Sequence, residues 1–282
     1  MKIGSVAVEP AVMNAACSIA KSKSDVEALS RTSIGAVLVG SVTYLPRKAN
    51  AGLRWLTNDS YSINSFGMPN NGYQYYKKHL PELANIVHAH NKKFVLSVAG
   101  FSADEYTQLA ELANTTGVDL LELNLGCPNI SIRGSQKPIF SFDPKMIEQI
   151  VKAVHQVTTV PLLLKLSPYS NPEELARVAR TVAKLPVSAI VTSNTFPNSS
   201  MGAIRSSHTT KLAGFGGRAL QPIALGQVQQ FRKLLPDHIK IIGVGGIETK
   251  SDRKLYQKAG ANGVQAATLI VRDGHSAIEK LI

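Results

Sequence analysis

Leu121-Glu122-Leu123-Asn124-Leu125-Gly126-Cys127-Pro128-Asn129 joins an apolar run to a turn carrying two amides and a thiol. The run reads as a buried strand. Pro128 lacks an N–H and stops the ladder, so Asn124, Cys127 and Asn129 gather at the strand's carboxyl end. Open and closed α/β sheets keep their chemistry at that end.

Similar runs recur along the chain, at 12–15, 36–39, 94–99, 120–125, 162–166, 189–193, 241–244 and 264–267. Several are apolar throughout, as expected of parallel strands covered on both faces. Stretches of helical period fall between them, at 24–32, 72–90, 103–115, 144–156, 172–184, 222–234, 250–258 and 274–281. Ser102 is placed to cap one helix, with Glu105 in the capping-box position, and Asp143 with Pro144 starts another. No linker, repeat or low-complexity segment divides the 282 residues. The pattern predicts an α/β fold, a closed (β/α)8 TIM barrel formed as one domain over 1–282. An open doubly wound sheet is the alternative, but the glycine-rich fingerprint expected after its first strand is absent.

Composition excludes several classes. The net charge is +12, from 31 Lys and Arg against 19 Asp and Glu. The basic residues are scattered, the densest pairs being Lys77-Lys78 and Lys92-Lys93, which reads as a solvated surface rather than a nucleic-acid site. No apolar run approaches the roughly 18 residues that span a bilayer, and the N-terminus carries no signal-peptide pattern. Two cysteines, Cys17 and Cys127, form neither a disulfide framework nor a metal-ligand spacing. No membrane partner, no metal and a reducing cytoplasmic location are expected.

In a barrel the residues just past each strand converge on one mouth. These are Asn14, Gly40-Ser41, Gly100, Asn124 with Cys127 and Asn129, Lys165, Asn194-Thr195, Gly245-Gly246 and Thr268. The long loop after the second strand adds Asn64, Gly67, Pro69 and Asn70. Any one asparagine in a loop also reads as turn chemistry. A ring of them suits a planar heterocycle with alternating carbonyl and N–H groups, because amides both donate and accept. Lys165 ends the apolar strand Pro161-Leu162-Leu163-Leu164. It implies either a structural ion pair or a ligand that becomes negative during reaction, such as a reduced flavin. The turn Ile242-Gly243-Val244-Gly245-Gly246-Ile247 and the end of Ala266-Ala267-Thr268 occupy the loops where barrels commonly bind phosphate. Cys127 is either an inert buried thiol or a base, its ordinary pKa of about 8.5 lying near neutrality. The segment 130–142, with Gly134 as hinge, reads as a lid that excludes water.

With these residues assembled, the chain resembles the dihydroorotate dehydrogenase family over nearly its whole length. The marks are Asn64-Ser65-Phe66-Gly67-Met68-Pro69-Asn70, Asn124-Leu125-Gly126-Cys127-Pro128-Asn129 and Lys165-Leu166-Ser167-Pro168-Tyr169. Ser193-Asn194-Thr195, Phe215-Gly216-Gly217-Arg218-Ala219-Leu220 and Gly243-Val244-Gly245-Gly246-Ile247 continue them. The resemblance implies an FMN-dependent oxidoreductase acting on a CH–CH group, converting dihydroorotate to orotate in pyrimidine biosynthesis. Asn64, Met68, Asn124, Asn129, Asn194 and Thr195 would hold the pyrimidine. Ala15, Ser41, Asn124 and Lys165 would hold FMN, with Lys165 stabilising charge on its reduced ring. Gly217, Gly245, Gly246, Ala267 and Thr268 would hold its phosphate and ribityl end. Cys127 would be the base, as in the soluble class 1 enzymes; class 2 enzymes carry serine. The single-subunit class implies a homodimer and fumarate as acceptor. NAD would require a partner flavin/iron–sulfur subunit, since this chain lacks the cysteines for a cluster.

The resemblance fails at Val39-Gly40-Ser41, where the family places a lysine that reaches FMN and substrate. It also departs at Ala15-Ala16-Cys17, where a smaller turn is usual. Losing the lysine removes a charge-assisted contact of about 1.5–3 kcal/mol, for which Arg54 and Arg133 are the candidate substitutes. Three other readings stay open: a divergent FMN oxidoreductase acting on another reduced pyrimidine or heterocycle, an RNA-modifying flavoprotein similar to dihydrouridine synthases, and a non-catalytic paralogue.

Overall fold

A computed structural model of the protein describes residues 1–132, 135–200 and 212–282. From the amino end these give β1 (Val12–Asn14), α1 (Lys23–Ser30), β2 (Ala36–Val42), α2 (Gly72–Ala89), β3 (Lys93–Val98) and α3 (Ala103–Ala110). Next come β4 (Leu120–Asn124), α4 (Pro144–Val157), β5 (Leu162–Lys165), α5 (Pro172–Val182) and β6 (Ala189–Val191). The series ends with α6 (Gln221–Leu234), β7 (Lys240–Val244), α7 (Lys250–Lys258), β8 (Gly263–Ala266) and α8 (Thr268–Asp273). All eight strands are parallel, and β8 pairs with β1 through Gln265 opposite Met13, which closes the barrel. The predicted (β/α)8 architecture is the observed one. Among the described residues no helix is long and apolar enough to cross a membrane.

Each apolar strand serves two cores. Val37, Val39, Phe94, Leu96, Leu121 and Leu123 belong to the layer between barrel and helices. Their alternating neighbours Ala36, Leu38, Val95 and Leu120 fill the barrel interior with Leu163 and Ile242. The strands read as unbroken apolar runs because helices cover the outer face while the inner face packs on itself. Toward the carboxyl ends the inward positions turn polar. Leu120 is followed at two-residue steps by Glu122 and Asn124, Val95 by Ser97, and Leu163 by Lys165.

The helix ends follow local chemistry. Asp143 accepts from the N–H groups of Lys145 and Met146, with Pro144 in the first turn. Ser102 accepts from Glu105 N–H, but the Glu105 carboxylate takes the N–H of Phe101, one residue before the cap, so the expected capping box is only half formed. The helix predicted at 274–281 is also different. The α-helical turn is α8, Gly274 ends it at φ +87°, and His275–Leu281 is a 3₁₀ segment. A residue in the left-handed region terminates a helix rather than starting one.

The predicted long loop after the second strand folds into part of a sheet over the mouth. Its strand Trp55–Thr57 pairs antiparallel with Ser62–Asn64, which pairs with Leu212–Gly216, which in turn pairs with Phe196–Ser200. This sheet sets Asn64 opposite Gly214, on the chain that follows β6. The lid predicted at 130–142 contains a short antiparallel pair, Ser131–Ile132 with Ser135–Gln136. Its expected hinge, Gly134, and Arg133 lie outside the described residues.

Asn14, counted among the mouth amides in sequence, has a structural task. Its side chain donates to the carbonyl of Leu38 at 2.7 Å and accepts from the N–H of Leu38 at 2.8 Å, riveting β1 to β2. Asn14→Ala leaves both buried backbone groups without those partners. It should lower stability by about 1–3 kcal/mol, read as a reduced midpoint of urea unfolding.

Candidate active site

The floor of the mouth is a continuous hydrogen-bonded chain. The Lys165 ammonium, 4% exposed, donates to Gln265 Oε1 at 2.8 Å. Gln265 Nε2 donates to Glu122 at 2.9 Å, and the other Glu122 oxygen accepts from Ser97 at 2.8 Å. Ser97 contacts Ser41 Oγ at 2.9 Å, which accepts from Asn124 Nδ2 at 2.8 Å. Asn194 Nδ2 then donates to Asn124 Oδ1 at 3.1 Å. Burial pushes the Lys165 pKa down, and the negative charge of Glu122 pulls it back. The ammonium therefore has its countercharge one side chain away, with a neutral amide between.

Above this floor stand the thiol and the remaining amides. Cys127 Sγ donates to Asn129 Oδ1 at 3.4 Å, and Asn129 Nδ2 donates to Asn64 Oδ1 at 2.8 Å. Asn194 Oδ1 accepts the N–H of Thr195 at 2.8 Å. Met68 packs with Ala99 and Ile130 beside Cys127. Burial pushes the Cys127 thiol up from its ordinary range; a hydrogen bond from the Asn129 backbone and the charges of Lys137, Arg47 and Lys21 oppose this. Lys137 sits over the Phe140 ring at 4.0 Å, and burial pushes its pKa down to about 8.

The opposite end of the same cavity is built from backbone. Gly217, Gly245 and Gly246 line it with Ala267 and Thr268, whose hydroxyl meets Ser62 Oγ at 2.9 Å. Gly217 has φ +81°, and a Cβ there would stand 2.8 Å from Ser62 N, so the turn admits only glycine. Ala15 and Ser41 line the same cavity. One cavity thus brings together the residues that the resemblance assigns to base, substrate and flavin.

Other strand-end residues do not join it. Asn70 is spent on the loop, donating to Thr43 and Met68 and accepting from Gly72 N–H. Arg54, a predicted substitute for the missing lysine, is exposed and does not line the cavity. Gly40 does line it, but at φ +136° its Cβ would run into the Ser97 carbonyl and stand 3.0 Å from Ser97 Cβ. No side chain fits at that position in this backbone. Sequence reasoning missed Glu122, Ser97, Gln265 and Lys21. The first three carried one signal, a polar residue set singly inside an apolar strand. Lys21 follows β1 and lines the cavity beside Cys17 and Ser18.

Fold and site define a (β/α)8 barrel with a deep amide- and glycine-lined cavity at the carboxyl ends of its strands. The sequence profile of the Dihydroorotate dehydrogenase family matches residues 1–282. Dihydroorotate dehydrogenase (fumarate) of Kluyveromyces lactis is 30% identical over 279 residues, 97% of this chain and 87% of that one. The catalytic subunit of dihydroorotate dehydrogenase B (NAD(+)) of Alkaliphilus metalliredigens is 30% identical over 275 residues, 95% and 86% of the two chains. The chain belongs to the dihydroorotate dehydrogenase family, which is flavin-dependent.

Closure of position 40 is directly testable. Gly40→Ala should cost about 1–3 kcal/mol, the usual range for overpacking, seen as a lower midpoint of chemical unfolding. An unchanged midpoint would show that the backbone there adapts.

Proposed function

We propose that this protein oxidises dihydroorotate to orotate with FMN bound in the cavity, on one barrel domain spanning 1–282. The observation that carries the reading is the meeting of Cys127, four asparagines and the buried Lys165 in one cavity, in a chain of this family. Two features suit a flavin. Among the described residues the Lys165 ammonium has only a neutral amide as direct partner, which suits a ring that gains negative charge. At the other end, glycines bring the backbone close to any ligand, which suits a phosphate. When bound, FMN supplies the hydride acceptor.

In this reading Ala15, Ser41, Asn124 and Lys165 hold the flavin ring, and Gly217, Gly245, Gly246, Ala267 and Thr268 hold the phosphate and ribityl end. Asn64, Asn124, Asn129, Asn194 and Thr195 clamp the pyrimidine, with Met68 packed against it. Cys127, as thiolate, takes the proton from one ring carbon onto Sγ. The electron pair of that C–H bond becomes the new ring double bond as hydride leaves the adjacent carbon. Asn129 orients the sulfur, and Asn64 orients Asn129. We assign fumarate as electron acceptor, as in the name of the Kluyveromyces relative, and a cytoplasmic homodimer as the working form.

Anaerobic mixing with dihydroorotate should bleach the flavin band. No bleaching at millimolar substrate would reject the reading. Cys127→Ala should retain flavin and lose about two to four decades of reduction rate, the usual share of general base catalysis.

The rate should also depend on pH. The base form is needed, and burial holds the thiol above its ordinary pKa. Flavin reduction should therefore fall by about tenfold per unit as pH drops below that pKa. Lys137 loses its charge around pH 8, so one support for the thiolate disappears as pH rises. The profile in stopped flow should be broader than a single titration, and Cys127→Ala should flatten it.

A further inference from the structure

One half-buried cation has no part in the mechanism above. Lys21 lines the cavity, and its ammonium donates to the Pro69 carbonyl at 2.5 Å. Pro69 follows Met68, which packs beside Cys127. Lys21 therefore sits at the thiol end, not at the glycine end. Its charge acts on Cys127 and Cys17, while burial pushes its own pKa down. Among the described residues no carboxylate lies within ion-pair distance of it. An ammonium carries three donors, of which the Pro69 carbonyl takes one.

The surroundings hold the residue in place. Its backbone N–H reaches Asp25 Oδ2 at 3.3 Å, and Ser22 with Asp25 forms a full capping box at the start of α1. The other cations near the thiol are engaged elsewhere. Arg47 donates to the Gly67 carbonyl and sits over Phe101, Lys137 sits over Phe140, and neither lines the cavity. Lys165 lies on the floor against Gln265. A half-buried ammonium that lines the cavity with donors to spare attracts negative charge, and an anionic group on the ligand would supply its countercharge.

We propose that Lys21 binds the carboxylate of a ring substrate at the thiol end of the cavity, and so selects carboxylated pyrimidines over uncharged ones. This rests on the dihydroorotate reading and names the group that makes the site specific for it.

The test titrates orotate and, separately, uracil into the flavin-loaded protein, following the flavin absorbance shift. The wild type should prefer orotate. Lys21→Met should lose about 10- to 100-fold in orotate affinity, the worth of one charge-assisted contact, and leave uracil affinity unchanged. Lys21→Arg should keep most of the preference. The proposal is overturned if Lys21→Met keeps the wild-type preference, or weakens both ligands equally as a purely structural residue would. If the wild type binds no orotate at all, the dihydroorotate reading falls with it. Orotate binding that is indifferent to Lys21 removes this proposal alone.

Discussion

A lysine ammonium buried inside a barrel has to be neutralised, and the way this chain does so orders the rest of the site. Lys165 does not touch an acid; it donates to Gln265, and Gln265 donates to Glu122. On the other side Ser97 donates to Glu122, so its oxygen is left to accept from Ser41. Ser41 in turn accepts from Asn124, and Asn124 accepts from Asn194. Every donor therefore points toward one carboxylate. The amide orientations of Gln265 and Asn124 follow, since each must give its NH2 on the Glu122 side and keep its carbonyl for the next group. A charge on the floor thereby fixes which face Asn124 shows to the cavity, a few residues before the thiol.

This explains what could be read from sequence and what could not. The barrel was legible because its signal is repeated: eight apolar runs of strand length, spaced by helical periods, with Asp143-Pro144 and Ser102 marking starts. The strand-end residues were legible because they are polar groups where an apolar run stops. Glu122 and Gln265 were not, because they interrupt apolar runs singly, at two-residue spacing. Only closure of the barrel tells that these positions face one another. The sheet over the mouth was hidden for a different reason. Trp55–Thr57 and Ser62–Asn64 are three residues each, too short to show a period. Ser62–Asn64 is a strand because a chain segment more than a hundred residues later pairs with it, and Trp55–Thr57 then pairs along its other edge. The terminal helix failed on a single backbone angle, the positive φ of Gly274.

Asparagine was informative only in numbers. Asn14 and Asn70 hold backbone together, whereas Asn64, Asn124, Asn129 and Asn194 line the cavity. Nothing in their immediate neighbours separates the two groups. What sets the site amides apart is the company of their side chains: Asn124 bonds those of Ser41 and Asn194, and Asn129 bonds that of Asn64, each of which lines the cavity.

Position 40 ties the two halves of the site together. The residue that closes it is Ser97, whose hydroxyl is a direct ligand of Glu122 and whose backbone occupies the space of any side chain at 40. A side chain there would have to displace Ser97, and with it the step that connects Glu122 to Ser41 and Asn124. The floor network and a long cationic side chain at the end of β2 therefore exclude each other in this backbone. A cation serving the thiol end has to come from another element. Lys21 comes from the loop after β1 and has its ammonium on the Pro69 carbonyl, so it serves that end with no bond to the network.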